Sequence, residues 1–300
     1  MKYCIYHKKC TDGFGAAFAI WSKYKNEFRY IPWLHYEKLQ KFNKDDVLYF
    51  CDISPKKNRY LTLKNEVSDI FIIEHHATAY HELHDVVDND HFIYSNEDCG
   101  SILTWKYFNG PNYPKFMEYI KYRDLELPYP SSDVLNAIYY VYSFPFDFKL
   151  WEHDLLKFFN ESEIIKQGEH IVRYCKSACD FALESTLTLN IGGHLVPAIN
   201  TKDNITMLGH LLCEKHKDID FTAFYSLNSS GNIVVSLRSC NVDVEEIAKM
   251  YGGGGHAFAS AFVISKNRFN PGLIGKLKYK LYGMNYITIE KYNKFRTNIF

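Results

Sequence analysis

At 300 residues, 47% hydrophobic and 23% charged, the chain has the composition of a soluble globular protein of one to three domains. Its 35 basic and 35 acidic residues cancel, which argues against a long nucleic-acid track over the whole surface. No charged-then-apolar leader opens the sequence and no apolar run reaches membrane-spanning length, so the expectation is a cytoplasmic protein with no membrane partner.

The charge is unevenly placed. From Lys266 onward there are eight Lys or Arg and one acid, Glu290, which leaves an acidic excess of seven on the remainder. Eight cysteines lie at irregular spacing with no CxxC pair. Reduced, mostly buried thiols are expected, rather than a disulfide framework or zinc knuckle.

Strand and helix patterns alternate over the first 130 residues or so, as in a parallel doubly wound sheet. Residues 2–6 form a strand that leads through Thr11-Asp12-Gly13 into a small-residue helix, Phe14 to Trp21. Strands follow at 28–34, 47–51, 69–73 and 91–94, with helices at 56–66 and 99–108. Helical patterns then dominate from 112 to 121 and again, after the break Leu127-Pro-Tyr-Pro130, to about Glu184. Strands at 186–191, 195–199, 221–227 and 233–238, a turn at Ser229-Ser-Gly-Asn232, a helix at 243–250 and a strand at 259–264 predict a second, smaller α/β domain. The predicted organisation is a sheet domain at 1–150, a helical linker at 151–185, a second domain at 186–265 and a basic, aromatic tail at 266–300.

Three apolar strands end in chemistry. Lys2-Tyr-Cys-Ile-Tyr6 runs into His7, Val47 to Cys51 runs into Asp52, and Asp69 to Ile73 runs into Glu74-His75-His76. Adjacent histidines at a strand end are expected on opposite faces, free for two different tasks. In open parallel sheets ligands bind beyond the carboxyl ends of the strands, so these groups should converge. His7, Asp12, Asp52 and His75, with Asp124 in Tyr122-Arg-Asp-Leu125, make a mixed nitrogen and oxygen donor set suited to Mn²⁺, Fe²⁺, Co²⁺ or Zn²⁺. One aspartate can bridge two such cations and so clamp a phosphoryl group. His81-Glu-Leu-His84 has its histidines three apart, the wrong spacing for a zinc-protease helix, and Asp85, Asp88 and Asp90 suit a solvated turn.

A second constellation, Tyr251-Gly-Gly-Gly-Gly-His256, lets backbone N–H groups approach an anion closely. Arg238-Ser239 leaves the preceding strand as a phosphate clamp. In the tail, Lys276, Lys278, Lys280, Lys291, Lys294 and Arg296 interleave with tyrosines, a pattern that suits a single-stranded nucleic acid as well as a solvated face with a docked aromatic stripe.

Taken in order, these residues resemble the DHH phosphoesterase superfamily with its DHH-associated carboxyl-terminal domain. The likeness covers about residues 1–265. It runs through Tyr6 to Gly15, Cys51-Asp-Ile-Ser54, Glu74-His75-His76, Gly100-Ser101, Tyr122 to Leu125, Arg238-Ser239 and Gly252 to His256. It implies hydrolysis of phosphoesters by activated water with divalent metal, commonly two Mn²⁺. On this likeness His7, Asp12, Asp52, His75 and Asp124 match metal ligands, with Asp52 as the bridge. His76 matches the histidine that meets the substrate phosphate, and Arg238, Ser239, Gly253, Gly254, Gly255 and His256 match substrate contacts.

Cys10 stands where many relatives place an aspartate ligand, and Glu74 replaces an aspartate. A thiol is a poor partner for Mn²⁺, so the first metal is expected to bind weakly or to be a different element. Glu74 either orients an imidazole or reaches in as a ligand. The expected function is a metal-dependent phosphodiesterase of short single-stranded oligonucleotides or dinucleotides. The alternatives are a small-nucleotide phosphomonoesterase of the 3′-phosphoadenosine phosphate type and a nucleotide sensor that has lost turnover. A homodimer is compatible with all three.

Overall fold

The computed structural model describes residues 1–265; the expected basic tail at 266–300 lies outside them. The chain divides into two compact units, Met1–Val172 and the residues from Arg173 onward.

The first unit is built on β1 (Lys2–His7), β2 (Phe28–Trp33), β3 (Val47–Cys51), β4 (Asp69–Glu74) and β5 (Phe92–Tyr94), all parallel and ordered β2-β1-β3-β4-β5. The apolar runs of its central strands are nearly continuous because both faces are covered. Cys4, Tyr6, Tyr49, Cys51 and Ile73 pack into one core with α1 (Thr11–Tyr24), α4 (Gly100–Asn109) and α5 (Lys115–Asp124). Their neighbours Tyr3, Ile5, Leu48, Phe50 and Ile72 pack into the other with α2 (Lys57–Glu66) and with Leu83 of α3 (Ala77–Leu83). The strand order reverses between β1 and β3, which opens a crevice at their carboxyl ends.

Thr11-Asp12-Gly13, expected as a turn before the first helix, is the first turn of α1 itself. A Cβ on Gly15 would stand 2.8 Å from the Cβ of Ser101, so this glycine lets α1 approach α4. Beyond α6 (Ser132–Ser143) and the short α7 (Phe148–Leu150), a π-helical turn at Trp151–Lys157 buries Trp151 against Phe14, Phe18 and Phe116, at ring separations of 4.8–5.7 Å. The first unit therefore takes in Trp151, Leu155 and Ile164 and extends past residue 150. From there α8 (Glu161–Leu183) carries the chain into the second unit.

The second unit holds β6 (Leu187–Ile191), β7 (His194–Asn200), α9 (Ile205–Lys215), β8 (Phe221–Leu227), β9 (Ile233–Ser239), α10 (Val244–Lys249), β10 (Gly254–Gly255) and β11 (Ala259–Ile264). The sheet order is β10-β11-β9-β8-β7-β6, and β7 and β8, joined by α9, are its parallel pair. At the β8–β9 hairpin Gly231 takes φ +76°, and Asn228 N–H donates to the Asn232 carbonyl at 2.9 Å. The Asp243 carboxylate caps α10 by accepting from Glu245 N–H at 2.8 Å.

The cysteines depart from expectation at one pair. Cys213 on α9 and Cys240 just after β9 form a disulfide with a Cα–Cα distance of 5.5 Å. Spacing along the chain does not reveal this pair, because α9 must first fold back beside β9. The other six cysteines are not disulfide-bonded. Among the described residues no helix is long and apolar enough to cross a membrane.

Candidate metal centre and substrate groups

His7 closes β1, and its Nδ1 lies 3.3 Å from Asp52 Oδ2. Asp52 follows β3 in the left-handed region at φ +60° and is held there as its N–H donates to the Ile73 carbonyl at 3.0 Å. Aspartate tolerates this conformation better than β-branched or bulky residues do, and strain of this kind concentrates at functional sites. His75 Nε2 stands 3.1 Å from Asp52 Oδ1, 3.4 Å from Asp124 Oδ2 and 3.7 Å from Asp12 Oδ2.

Asp12 lies in the first turn of α1, and its carboxylate accepts from the N–H groups of Gly100 (2.6 Å) and Ser101 (2.9 Å) at the start of α4. The positive end of that helix thus holds an acid in place. A Cβ on Gly100 would fall 2.6 Å from Asp52 Cβ and 2.9 Å from Asp12 Oδ2, and a Cβ on Gly13 would fall 2.4 Å from the His7 carbonyl. These two glycines give the acids and the β1 end the room they need to meet.

The donors fall into two sets. His7, Cys10 and Asp52 bring one ligating atom each within 4.8 Å of one another, and so do Asp12, His75 and Asp124. Asp52 touches both sets, through Oδ2 to His7 and Oδ1 to His75. Asp52 Oδ2 and Asp124 Oδ2 are buried and accept no hydrogen bond. Buried carboxylate oxygens without a donor are costly unless a cation satisfies them. The nitrogen, oxygen and sulfur donors here therefore fit divalent metal.

The electrostatics agree. Burial pushes the Asp12 carboxyl up to about 8, with the charges of Asp124 and Asp52 adding to it. Burial also lifts Asp124, to about 6, with His75 opposing and Asp52 adding. For Asp52, burial is outweighed by the neighbouring His7 and His75 imidazoles, which hold it well below the usual carboxylate range. His75 is lowered by burial, but Asp52, Asp124 and Asp12 carry it to about 10. Burial and the same three acids push the Cys10 thiol up, so a cation is needed to draw off its proton.

Glu74 does not join the donor sets. Its Oε2 accepts from the N–H groups of His75 (2.8 Å) and His76 (3.1 Å) and lies 2.8 Å from His76 Nδ1. Burial lowers His76, yet Glu74 raises it to about 9. The two histidine rings lie 4.2 Å apart rather than on opposite faces, because β4 ends at Glu74 and the pleat does not continue through them. Their tasks still differ: His75 faces the carboxylates and His76 faces Glu74.

Arg123 and Tyr142 escape sequence reading. The Arg123 guanidinium lies 4.2 Å over the Tyr142 ring, and burial together with Asp124 raises the Tyr142 hydroxyl, which places it beside the centre. Adjacency to Asp124 was a signal for Arg123; Tyr142 has none. In the decoys, His84 Nδ1, just past the end of α3, meets the Tyr80 carbonyl, while Asp85 and Asp88 pair with Lys57 and Lys64.

The remaining expected residues lie in the second unit. Arg238 extends from β9 over α9, where Gly209 makes room for it: a Cβ there would stand 2.9 Å from Arg238 Cβ. Its guanidinium donates to the Leu237 carbonyl (2.9 Å) and reaches Thr206 Oγ1 (3.4 Å). Ser239 Oγ donates to the Val242 carbonyl at 2.5 Å, which gives this residue a turn-forming task. In the glycine run, Gly252 and Gly255 take φ +76° and +148°. A Cβ on Gly253 would fall 2.1 Å from the Ala261 carbonyl, whereas Gly254 has open space. The run thus makes a tight return into the strand pair β10–β11, with His256 N–H donating to the Ala259 carbonyl at 2.9 Å.

Several known proteins resemble this chain. Residues 195–278 match the DHHA1 domain. The chain is 30% identical over 295 residues to an uncharacterized protein of Acanthamoeba polyphaga mimivirus, covering 87% of this chain and 67% of that one. It is 27% identical over 260 residues to the oligoribonuclease NrnB of Bacillus subtilis, covering 76% of this chain and 62% of that one. The chain spans about two thirds of the length of these relatives. Among solved structures, a pGpG-specific phosphodiesterase of Vibrio cholerae aligns over 91% of this chain and 97% of that one at 13% identity and a TM-score of 0.47. RecJ of Thermus thermophilus in complex with Mn²⁺ aligns over 90% and 50% at 10% identity and a TM-score of 0.44. Residues 195–278 are thus a DHHA1 domain, as the resemblance to the DHH phosphoesterases implies for this part of the chain.

Proposed function

We propose that this protein is a divalent-metal-dependent phosphodiesterase of short oligonucleotides or dinucleotides. The observation that carries the proposal is the pair of donor sets, His7–Cys10–Asp52 and Asp12–His75–Asp124, joined through the two oxygens of Asp52. Two divalent ions held there would supply Lewis acidity to a phosphoryl group and lower the pKa of water.

The chain's own residues do the rest. Asp52, with one oxygen towards His7 and the other towards His75, would contribute to holding both ions. Asp12, anchored by α4, and Asp124, at the end of α5, complete the oxygen donors. His76, kept cationic by Glu74, donates to the non-bridging oxygens, where charge grows in the transition state. In the second unit, Arg238 and the N–H groups around the glycine run supply groups able to bind a nucleotide. The balanced net charge and the relative named as an oligoribonuclease both favour a short substrate over a long strand.

The test is turnover of a 5′-labelled RNA dinucleotide with Mn²⁺, beside a cyclic dinucleotide and a longer RNA. We expect fastest turnover on the dinucleotide and a loss of about 10²–10³-fold or more in Asp52→Ala, by analogy with removal of one preorganised charge-stabilising group. Binding without turnover under every divalent metal would overturn the proposal in favour of a nucleotide sensor.

A further inference from the structure

The two donor sets differ in one atom. Asp12, His75 and Asp124 offer two carboxylates and an imidazole, whereas His7, Cys10 and Asp52 include a sulfur. Cys10 reaches this position through the backbone. It caps α1 with extended φ −116° and ψ 134°, its carbonyl accepts from Phe14 N–H at 3.0 Å, and Lys9 before it turns left-handed at φ +60°. Beside it, the Asp52 side chain is 1% exposed and its Oδ2 accepts no hydrogen bond, which points independently to a cation at this set.

Sulfur sorts cations. Thiolate and imidazole together suit Zn²⁺, Co²⁺ or Fe²⁺, while carboxylate-rich sets suit Mn²⁺ or Mg²⁺. We propose that the two positions are chemically unequal: His7, Cys10 and Asp52 select a thiophilic divalent cation through the Cys10 thiolate, and Asp12, His75 and Asp124 take an oxygen-preferring one. On binding, the Cys10 sulfur forms a bond to the cation and its proton leaves to solvent, with no change in oxidation state. The proposal deepens the functional reading above and rests on its two metal positions.

Cobalt reports thiolate ligation directly, as a near-ultraviolet sulfur-to-metal charge-transfer band. The metal-stripped full chain is titrated anaerobically with Co²⁺, with bound metal counted by equilibrium dialysis. The band should grow with one equivalent and gain nothing from a second. Zn²⁺ should displace it and Mn²⁺ at the same concentration should not. Cys10→Ser should lose the band, Cys10→Asp should lose it while still binding two equivalents, and Cys99→Ser, which removes the thiol 3.2 Å from Ser101 Oγ, should keep it. Two bound equivalents with no band, a band that persists in both Cys10 variants, or displacement by Mn²⁺ as readily as by Zn²⁺ would overturn this inference alone. No bound cobalt by dialysis would overturn the metal-centre reading as well.

Discussion

Single atoms decide much of what this centre can do. Glu74 raises His76 to about 9, so His76 is cationic below that pH and loses its charge above it. Glu74→Gln removes the stabilising carboxylate, and the alkaline limb of the pH profile of kcat/KM should move to lower pH. An orienting acid of this kind is typically worth about 10–100-fold in activity, the loss expected at neutral pH. Gly100→Ala tests crowding. Its Cβ would enter the space of both Asp52 and Asp12, at a cost of about 1–3 kcal/mol in denaturant unfolding, with weakened metal binding by titration calorimetry. Sequence marked His7, Asp52, His75 and His76 because strand-end positions of a parallel sheet converge. It was silent on Tyr142, whose place beside the centre depends on how α6 packs.

At the scale of elements, Asp98 ties α4 to α5, bonded to Lys106 at 2.5 Å and to Lys121 at 2.7 Å. Burial raises its carboxyl, but the two lysines outweigh this and hold it below the usual range. The stabilisation is therefore complete above the unfolded value of about 3.9 and is lost as pH falls through the lower folded value. Asp98→Asn should cost about 1–2 kcal/mol at neutral pH, discounted because the lysines are partly solvated, and should flatten the acid limb of the stability curve. In the second unit the Cys213–Cys240 bridge closes a loop of sequence separation 27. Reduction should destabilise that unit by about 2–4 kcal/mol in chemical denaturation and leave the first unit unchanged.

For the molecule as a whole, the acidic centre sets a pH dependence. In the metal-free fold Asp12 keeps its proton up to about 8 and Asp124 to about 6, whereas an unfolded aspartate titrates near about 3.9. The raised His75 and His76 act in the same direction. For these four groups the folded state binds more protons than the unfolded state, so their contribution to metal-free stability falls as pH rises from about 4 to about 10. Metal binding replaces those protons and strengthens with pH. The rise in Tm on adding Mn²⁺ should therefore be larger at about pH 8 than at about pH 6. An equal shift at both would count against a proton-linked metal centre.

The sequence by itself determined the parallel sheet and most element positions, and it put His7, Asp52 and Glu74-His75-His76 at the strand ends. Each follows from local pattern: apolar runs covered on both faces, breaks at Pro and Gly, and polar residues where strands stop. Tertiary structure decided what depends on which segments meet. It set Cys10 beside His7 and Asp52, turned Glu74 towards His76 instead of the donor sets, engaged Ser239 with the Val242 carbonyl, and joined Cys213 to Cys240. Contacts between residues far apart in the chain are fixed by packing, and no local periodicity encodes them.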